Sequence, residues 1–144
     1  RGPIVEWLRN RSRPYLFSNS LAPVIVETSI KALEIVQSVT GKKLRDTIKE
    51  NANYFRAGMI KHGFELVPGE HAIVPVMLGD AKLAQNIAKD LLAEGIYVIG
   101  FSFPVVPKGK ARIRVQISAG HTRAHLDKAI AAFIKVGRKH GVVS

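Results

Sequence analysis

The sequence predicts an α/β fold of the α+β kind, in which a mostly antiparallel sheet is covered on one face by helices. Residues 112–118 alternate strictly, with Ile113, Val115 and Ile117 on one face and polar side chains on the other, as in a half-buried strand. Elsewhere apolar residues return every three or four positions, which is typical of amphipathic helices. Because the predicted strands are each linked to helices, one layer of helices on one sheet is the expected architecture.

The first forty residues are predicted to be mainly helical. Residues 3–10 read as the end of a helix, and residues 15–17 read as a short apolar strand. A long helix is expected from Pro23 to about Ser38, since apolar residues recur at helical spacing and proline suits a first helical turn.

A second long helix is expected after Gly41, ending at His62-Gly63, where glycine can adopt the left-handed conformation that closes a helix. Residues 64–67 then read as a strand. Residues 73–78 form an extended run with Pro75 inside it, which favours a strand at the edge of the sheet.

The remaining elements carry clear start and stop signals. Asp80 is a predicted N-cap of a helix that ends at Gly95, and residues 96–100 read as the next strand. Thr122 is predicted to cap a last helix that runs to Gly141. The Asp80 helix is expected to place one set of apolar residues on a common side: Leu83, Ile87, Leu91 and Leu92.

Composition sets limits on the class of protein. A length of 144 residues with 47% hydrophobic and 23% charged residues is typical of one globular domain. No apolar run approaches the roughly 18 residues that cross a bilayer, so we expect no membrane partner. The absence of cysteine excludes disulfides and thiolate metal ligands. The sequence begins at Arg1 without a signal-peptide pattern, and we expect a processed chain or a piece of a longer one.

The formal net charge of +11 raises the alternative of a stand-alone basic module that binds nucleic acid. The basic residues are spread along the chain, however, without a zinc-finger, RRM or KH pattern, and we therefore expect no nucleic-acid partner. A basic surface also suits a polyanionic small substrate such as coenzyme A.

Two groups of polar residues are candidates for chemistry. Arg112 and Arg114 share one face of the strand at residues 112–118, where guanidinium groups need either solvent or an anionic partner. Ser18 and Asn19 follow the predicted strand at residues 15–17, and the pattern alone favours a turn. The histidines lack the carboxylates and close pairing of a catalytic zinc site, and no metal site is expected.

Two segments resemble one family: Arg13-Pro-Tyr-Leu-Phe-Ser-Asn-Ser-Leu-Ala-Pro23 and Pro104-Val-Val-Pro-Lys-Gly-Lys-Ala-Arg-Ile-Arg-Val-Gln-Ile-Ser118. They are similar to the carboxy-terminal part of α-oxoamine synthases, pyridoxal-phosphate (PLP) enzymes that join an amino acid to an acyl-CoA. Within that family the segment that begins at Arg13 favours the members that use glycine and acetyl-CoA; members with another amino acid or acyl-CoA remain the alternative. The resemblance implies a fold-type I PLP enzyme, with residues 1–41 as the end of the large PLP-binding domain plus a connecting helix and residues 42–144 as the carboxy-terminal small domain.

The same resemblance implies roles for individual residues. Arg114 would hold the substrate carboxylate, while Arg112 would be structural or at the surface. Ser18 and Asn19 would reach the PLP phosphate of the partner subunit, which implies a homodimer with shared active sites. The lysine that forms the Schiff base would lie upstream of Arg1, so no catalytic residue is assigned to this chain. Members of the family occur in the bacterial cytoplasm and in mitochondria.

Overall fold

A computed structural model of the protein describes residues 1–17 and 21–144. These residues form two compact units, Arg1–Lys42 and Lys43–Ser144. Within these described ranges, no helix combines the length and the apolar character that crossing a membrane requires.

The first unit is helical, with α1 at Gly2–Arg11, α2 at Arg13–Leu16 and α3 at Pro23–Gln37. The helices predicted at residues 3–10 and from Pro23 are confirmed, but the strand predicted at residues 15–17 is wrong. Proline near the start of α2 presets a helical φ angle, and the Phe17 amide donates to the Arg13 carbonyl at 2.9 Å. No residue of α1, α2 or α3 is buried.

Helix α4 spans Val39–Lys61 and begins earlier than predicted, with Gly41 inside its first turn. The Ser38 hydroxyl accepts a hydrogen bond from the Gly41 amide at 3.1 Å, so serine supplies the N-terminal cap. The helix ends as predicted, because Gly63 has a φ of 88°.

The second unit contains an antiparallel three-stranded sheet in the order β1-β3-β2. Its strands are β1 at Ile73–Gly79, β2 at Ile99–Phe101 and β3 at Ala111–Gln116. The strand predicted at residues 64–67 is reduced to one bridge, between Leu66 and Val76 of β1. The alternation predicted for β3 is confirmed, since Ile113, Val115 and Ile117 are buried and Arg114 is exposed.

Helix α5, at Ala81–Ala93, joins β1 to the segment before β2. Its predicted cap is confirmed, because the Asp80 carboxylate accepts from the Leu83 amide at 2.7 Å. Leu92, expected on the buried side, is 57% exposed. Helix α5 also lies close to β2 at Gly100, where an added Cβ would stand 3.1 Å from the Ala84 backbone.

Helix α6 spans Arg123–Lys139, and Thr122 caps it as predicted. Helices α4, α5 and α6 cover the apolar face of the sheet, which gives the predicted layer architecture. Phe133 of α6 lies at the centre of the core, in edge-to-face contact with Phe55 and Phe64 at ring-centroid distances of 6.1 Å and 5.9 Å.

Two polar clusters tie the helices together at their surface. The Asp90 carboxylate of α5 accepts from Lys139 at 2.8 Å and lies 2.7 Å from His140 Nε2, and these contacts, Lys139 first, lower the pKa of Asp90. Near the start of α6, the Tyr54 hydroxyl donates to Asp127, which raises the pKa of the phenol. The Arg123 guanidinium lies 3.7 Å from the centre of the same phenol ring.

Candidate functional site

A cavity of about 560 Å³ opens in the second unit, between β2, β3 and α6. Most of its wall is apolar, whereas its polar groups are few and basic or neutral. A sizeable apolar cavity with a few polar groups is the usual form of a small-molecule site. Its apolar wall includes Phe55, Ile96, Val98, Ile99, Val115 and Leu126.

Arg114 contributes its guanidinium group to this cavity from the solvent-facing side of β3. Its guanidinium carbon lies 4.3 Å from the centre of the Phe101 ring, a cation–π contact that orients the side chain without using its hydrogen-bond donors. In the described ranges no carboxylate lies within ion-pair distance of it. The planar fork of Arg114 is therefore available to bind a carboxylate with two parallel hydrogen bonds.

Arg112 has a different environment from that of Arg114, although both side chains lie on the same face. Its Nε donates to the Lys110 carbonyl at 3.2 Å, and the residue does not line the cavity. This contact holds the loop that enters β3. It is compatible with the structural role that we predict for Arg112.

The turn after β3 is held by Asn51, a residue of α4 that is 7% exposed. Its side-chain amide donates to the carbonyls of Ser118 and His121, at 3.2 Å and 2.8 Å. These contacts join residues that are 67 and 70 positions apart, so no local pattern could have identified them. Asn51 fixes the position at which the chain turns from β3 towards α6.

Two histidines of this turn line the cavity and share one hydrogen-bonding arrangement. His121 Nδ1 accepts from the Ser118 amide at 3.2 Å, and His125 Nδ1 accepts from the Thr122 amide at 3.3 Å. The second contact is half of a capping box, since the Thr122 hydroxyl accepts from the His125 amide. Both Nδ1 atoms therefore have a structural function in this turn.

Arg56 of α4 is a further residue that the sequence does not identify. Its guanidinium donates to the carbonyls of Val67, His71 and Ile73, at 2.9 to 3.2 Å, and so holds the segment that leads into β1. An arginine on a helix carries no sequence signal for such long-range contacts.

Ser18 and Asn19 fall outside the described residues. Lys108 lies in the loop before β3, where its ammonium stands 5.2 Å from the centre of the Phe103 ring. A smaller cavity of about 420 Å³ adjoins this loop and includes Asp80 and Ser102 in its wall. Among the described residues no cluster of histidine and carboxylate side chains is suited to a metal ion.

The chain is similar over its whole length to proteins with established names. The chain is 56% identical over 144 residues to the 2-amino-3-ketobutyrate coenzyme A ligase of Escherichia coli strain K12, covering 100% of this chain and 36% of that protein. It is 52% identical over 149 residues to the mitochondrial human protein of the same name, covering 99% of this chain and 33% of the relative. The chain thus spans about one third of the length of these relatives.

The fold of this chain is also similar to the folds of solved structures. A serine palmitoyltransferase from S. paucimobilis with bound PLP and myriocin matches 98% of this chain and 35% of its own chain, with a TM-score of 0.88 and 33% identity. This match confirms the predicted α/β fold class and its resemblance to fold-type I PLP enzymes. A family model described as aminotransferase class I and II matches residues 2–133. Because that match covers most of the 144 residues of the chain, the chain belongs to the aminotransferase class I and II family.

Proposed function

We propose that this chain is the carboxy-terminal part of a PLP-dependent glycine C-acetyltransferase, which condenses glycine with acetyl-CoA to 2-amino-3-oxobutyrate and CoA in threonine and glycine metabolism. The observation that carries the proposal is the Arg114 guanidinium in the wall of the cavity of about 560 Å³, where no carboxylate of residues 1–17 and 21–144 pairs with it. The 56% identity to a 2-amino-3-ketobutyrate coenzyme A ligase supports this choice of substrates. The relatives, bacterial and mitochondrial, favour the bacterial cytoplasm or the mitochondrial matrix as the location.

The role that we assign to Arg114 is to bind and orient the carboxylate of glycine. A guanidinium binds both carboxylate oxygens at once, which restricts rotation of the small substrate and fixes the direction of the α-carbon bond to be broken. The Phe101 ring contacts the guanidinium from one side and orients it. The side chain therefore loses little conformational entropy when it binds the carboxylate.

The cofactor is expected to contact this chain through Ser18 and Asn19, on the PLP phosphate of the partner subunit. Hydroxyl and amide groups suit that task because they donate to phosphate oxygens without adding charge. PLP, when bound, supplies the electron sink for the glycine α-carbon. We assign no Schiff-base lysine among these 144 residues and expect them to be inactive by themselves.

We assign residues 1–41 to the end of the large domain and residues 42–144 to the small domain. The two compact units, Arg1–Lys42 and Lys43–Ser144, support this assignment. Helices α1 and α3 expose many apolar side chains and bury none. Exposed apolar faces of this extent mark surfaces that other protein covers. The exposed apolar residues include Ile4, Trp7, Val24, Ile25 and Leu33.

Changing Ser18 and Asn19 together to Ala in the full-length enzyme should weaken PLP retention, because donors to the phosphate are lost. Mixing this variant with a variant that lacks the Schiff-base lysine should restore part of the activity, since a heterodimer then contains one site with both elements intact. The measurement is acetyltransferase activity after subunit exchange. Exchange without any recovery would show that the two residues serve their own subunit.

A second candidate is another α-oxoamine synthase, because the chain is also 43% identical to an 8-amino-7-oxononanoate synthase of Fervidobacterium nodosum. The two candidates differ in the amino acid and in the acyl group. Assaying the full-length protein with glycine and acetyl-CoA, and in parallel with alanine and pimeloyl-CoA, separates them. Turnover of only the second pair would overturn the proposed acetyltransferase.

A further inference from the structure

Three of the five histidines use the same ring atom, Nδ1, to accept a hydrogen bond from a backbone amide. The three pairs are His71 with the Ile73 amide at 3.0 Å, His121 with the Ser118 amide at 3.2 Å and His125 with the Thr122 amide at 3.3 Å. Because a backbone amide can only donate, each of these Nδ1 atoms carries no proton. The neutral rings therefore have their proton on Nε2.

The three histidines lie at one end of the sheet. Strands β1 and β3 are antiparallel, so the start of β1 lies beside the end of β3. The Ile117 amide donates to the Ala72 carbonyl at 2.9 Å and joins the two strands at this point. His71 precedes β1, while His121 and His125 follow β3. We call these three residues the histidine joint.

Proton binding to Nδ1 destroys each contact of the histidine joint. A protonated Nδ1 is a donor, so it loses the bond to the amide and places one N–H against another. Histidine changes its charge between about pH 5 and 8, the range in which few other side chains titrate. As the pH falls through this range, the backbone at this end of the sheet loses up to three acceptors.

The surrounding charges do not offset this loss. No carboxylate of residues 1–17 and 21–144 lies within ion-pair distance of the histidine joint. The titratable and charged groups on the elements that pack here are bases, phenols or members of a pair: Arg56, Lys49 with Glu70, Tyr54 with Asp127, Arg123, Lys128, Arg114 and Tyr97. Positive charge on the three rings is therefore not stabilised by pairing.

His140 has the opposite arrangement, and its contact should persist in acid. Its Nε2 lies 2.7 Å from the Asp90 carboxylate, so protonation of the ring strengthens the contact. Lys139 and His140 hold the pKa of Asp90 below its usual value, and this carboxylate therefore stays ionised while histidine titrates. The contact between α5 and α6 is retained as the pH falls, whereas the histidine joint is lost.

We propose that the histidine joint is an acid-sensitive device, which holds this end of the sheet and the turn after β3 closed at neutral pH and loosens them in acid. His121 and His125 line the cavity of Arg114, so the shape of that cavity becomes dependent on pH. The Asn51 amide does not titrate and still holds the Ser118 and His121 carbonyls, so the turn loosens without unfolding of the sheet. The inference is independent of the proposed acyltransferase function, because it uses only contacts within this chain.

The test uses the ¹⁵N-labelled 144-residue chain at about pH 7.5 and about pH 5.5, on either side of the histidine titration. Imidazole ¹⁵N shifts should show Nδ1 unprotonated in all three rings at the higher pH. Hydrogen-exchange protection of the Ile73, Ser118 and Thr122 amides, corrected for the intrinsic rate, should fall about fivefold or more at the lower pH, the equivalent of one net hydrogen bond. Protonated Nδ1 atoms at the higher pH, or protection that is independent of pH, would overturn the proposal.

His125→Gln and His62→Gln form a matched pair of variants. Glutamine at position 125 keeps the capping box, because its side-chain oxygen accepts from the Thr122 amide, but it does not titrate. Protection of the Thr122 amide should then stay within about twofold between the two pH values, the amount by which a lost acceptor is distinguished from none. His62 is exposed at the end of α4, and its replacement should leave all three losses as in the parent chain.

A Thr122 amide that still loses its protection in His125→Gln would attribute the effect to general loosening and overturn the joint. Loss of the pH dependence in His62→Gln would do the same. His71→Asn is the second variant if His125→Gln does not fold, since an asparagine oxygen also accepts from the amide two residues along the chain. It should abolish the pH dependence of the Ile73 amide alone, and an unchanged Ile73 response would contradict the proposal.

Discussion

Replacing Arg114 by Ala in the full-length enzyme should raise the glycine KM and lower kcat/KM about 30- to 1,000-fold. The physical reason is the loss of a charge-assisted bidentate contact to the carboxylate, which costs on the order of 2–4 kcal/mol of transition-state stabilisation. The fold should be retained, because the side chain is exposed and its neighbours Ile113 and Val115 carry the core packing of β3. Steady-state kinetics with glycine as the varied substrate measures the effect, and PLP absorbance checks that the cofactor is still bound.

Two further substitutions test whether the effect belongs to the guanidinium of Arg114. Arg112→Ala should change kcat/KM for glycine by less than about threefold, because that guanidinium is used on the Lys110 carbonyl. Arg114→Lys should recover only part of the loss, since an ammonium group restores the charge but not the planar fork. A normal Arg114→Ala enzyme beside an inactive Arg112→Ala enzyme would move the carboxylate site to the other arginine.

The elements that the sequence predicts correctly are those with local signals. The alternation of β3 is visible within seven residues, and this pattern by itself places Arg114 on the face opposite Ile113 and Val115. The caps Asp80 and Thr122 are equally local, because each bonds to an amide three residues along the chain. Short-range periodicity and capping chemistry are sufficient for this part of the fold.

The errors at element boundaries have identifiable physical causes. The strand at residues 96–100 begins only at Ile99, since the Ile96 amide donates to the Leu91 carbonyl at 2.8 Å and so closes α5. Gly41 suggests a helix boundary in the sequence, but the Ser38 hydroxyl caps α4 ahead of it. At residues 15–17 the apolar run is too short for its periodicity to distinguish strand from helix.

Only part of the candidate site can be predicted from the sequence. Arg114 can be placed on a face, whereas the cavity beside it is built from residues of α4, the segment before β2, β3 and α6. The two hydrogen bonds of Asn51 to the turn after β3 join residues 67 and 70 positions apart, so no local pattern reveals them. Ser18 and Asn19 lie outside the described residues, and their roles stay predictions.

Replacing Phe133 by Ala should lower the free energy of unfolding of the 144-residue chain by about 3–5 kcal/mol, the usual cost of truncating a buried phenylalanine. Phe133 is 1% exposed and makes edge-to-face contacts with Phe55 and Phe64, so its removal leaves a cavity where α4 and α6 meet. Helix propensity cannot account for a loss, because alanine favours helix more than phenylalanine does. Urea unfolding followed by circular dichroism at 222 nm, roughly the helical minimum, measures the change.

The control for this substitution is Leu92→Ala, which removes a large apolar side chain that is 57% exposed on α5. Its effect should stay within about 0.5 kcal/mol, because little area is returned to water and no cavity forms. Phe133→Leu should fall between the two, since leucine fills part of the volume but loses both ring contacts. A Phe133→Ala chain as stable as Leu92→Ala would contradict the packing of α4 against α6, and with it the position of Asn51 and the turn that presents His121 and His125 to the cavity.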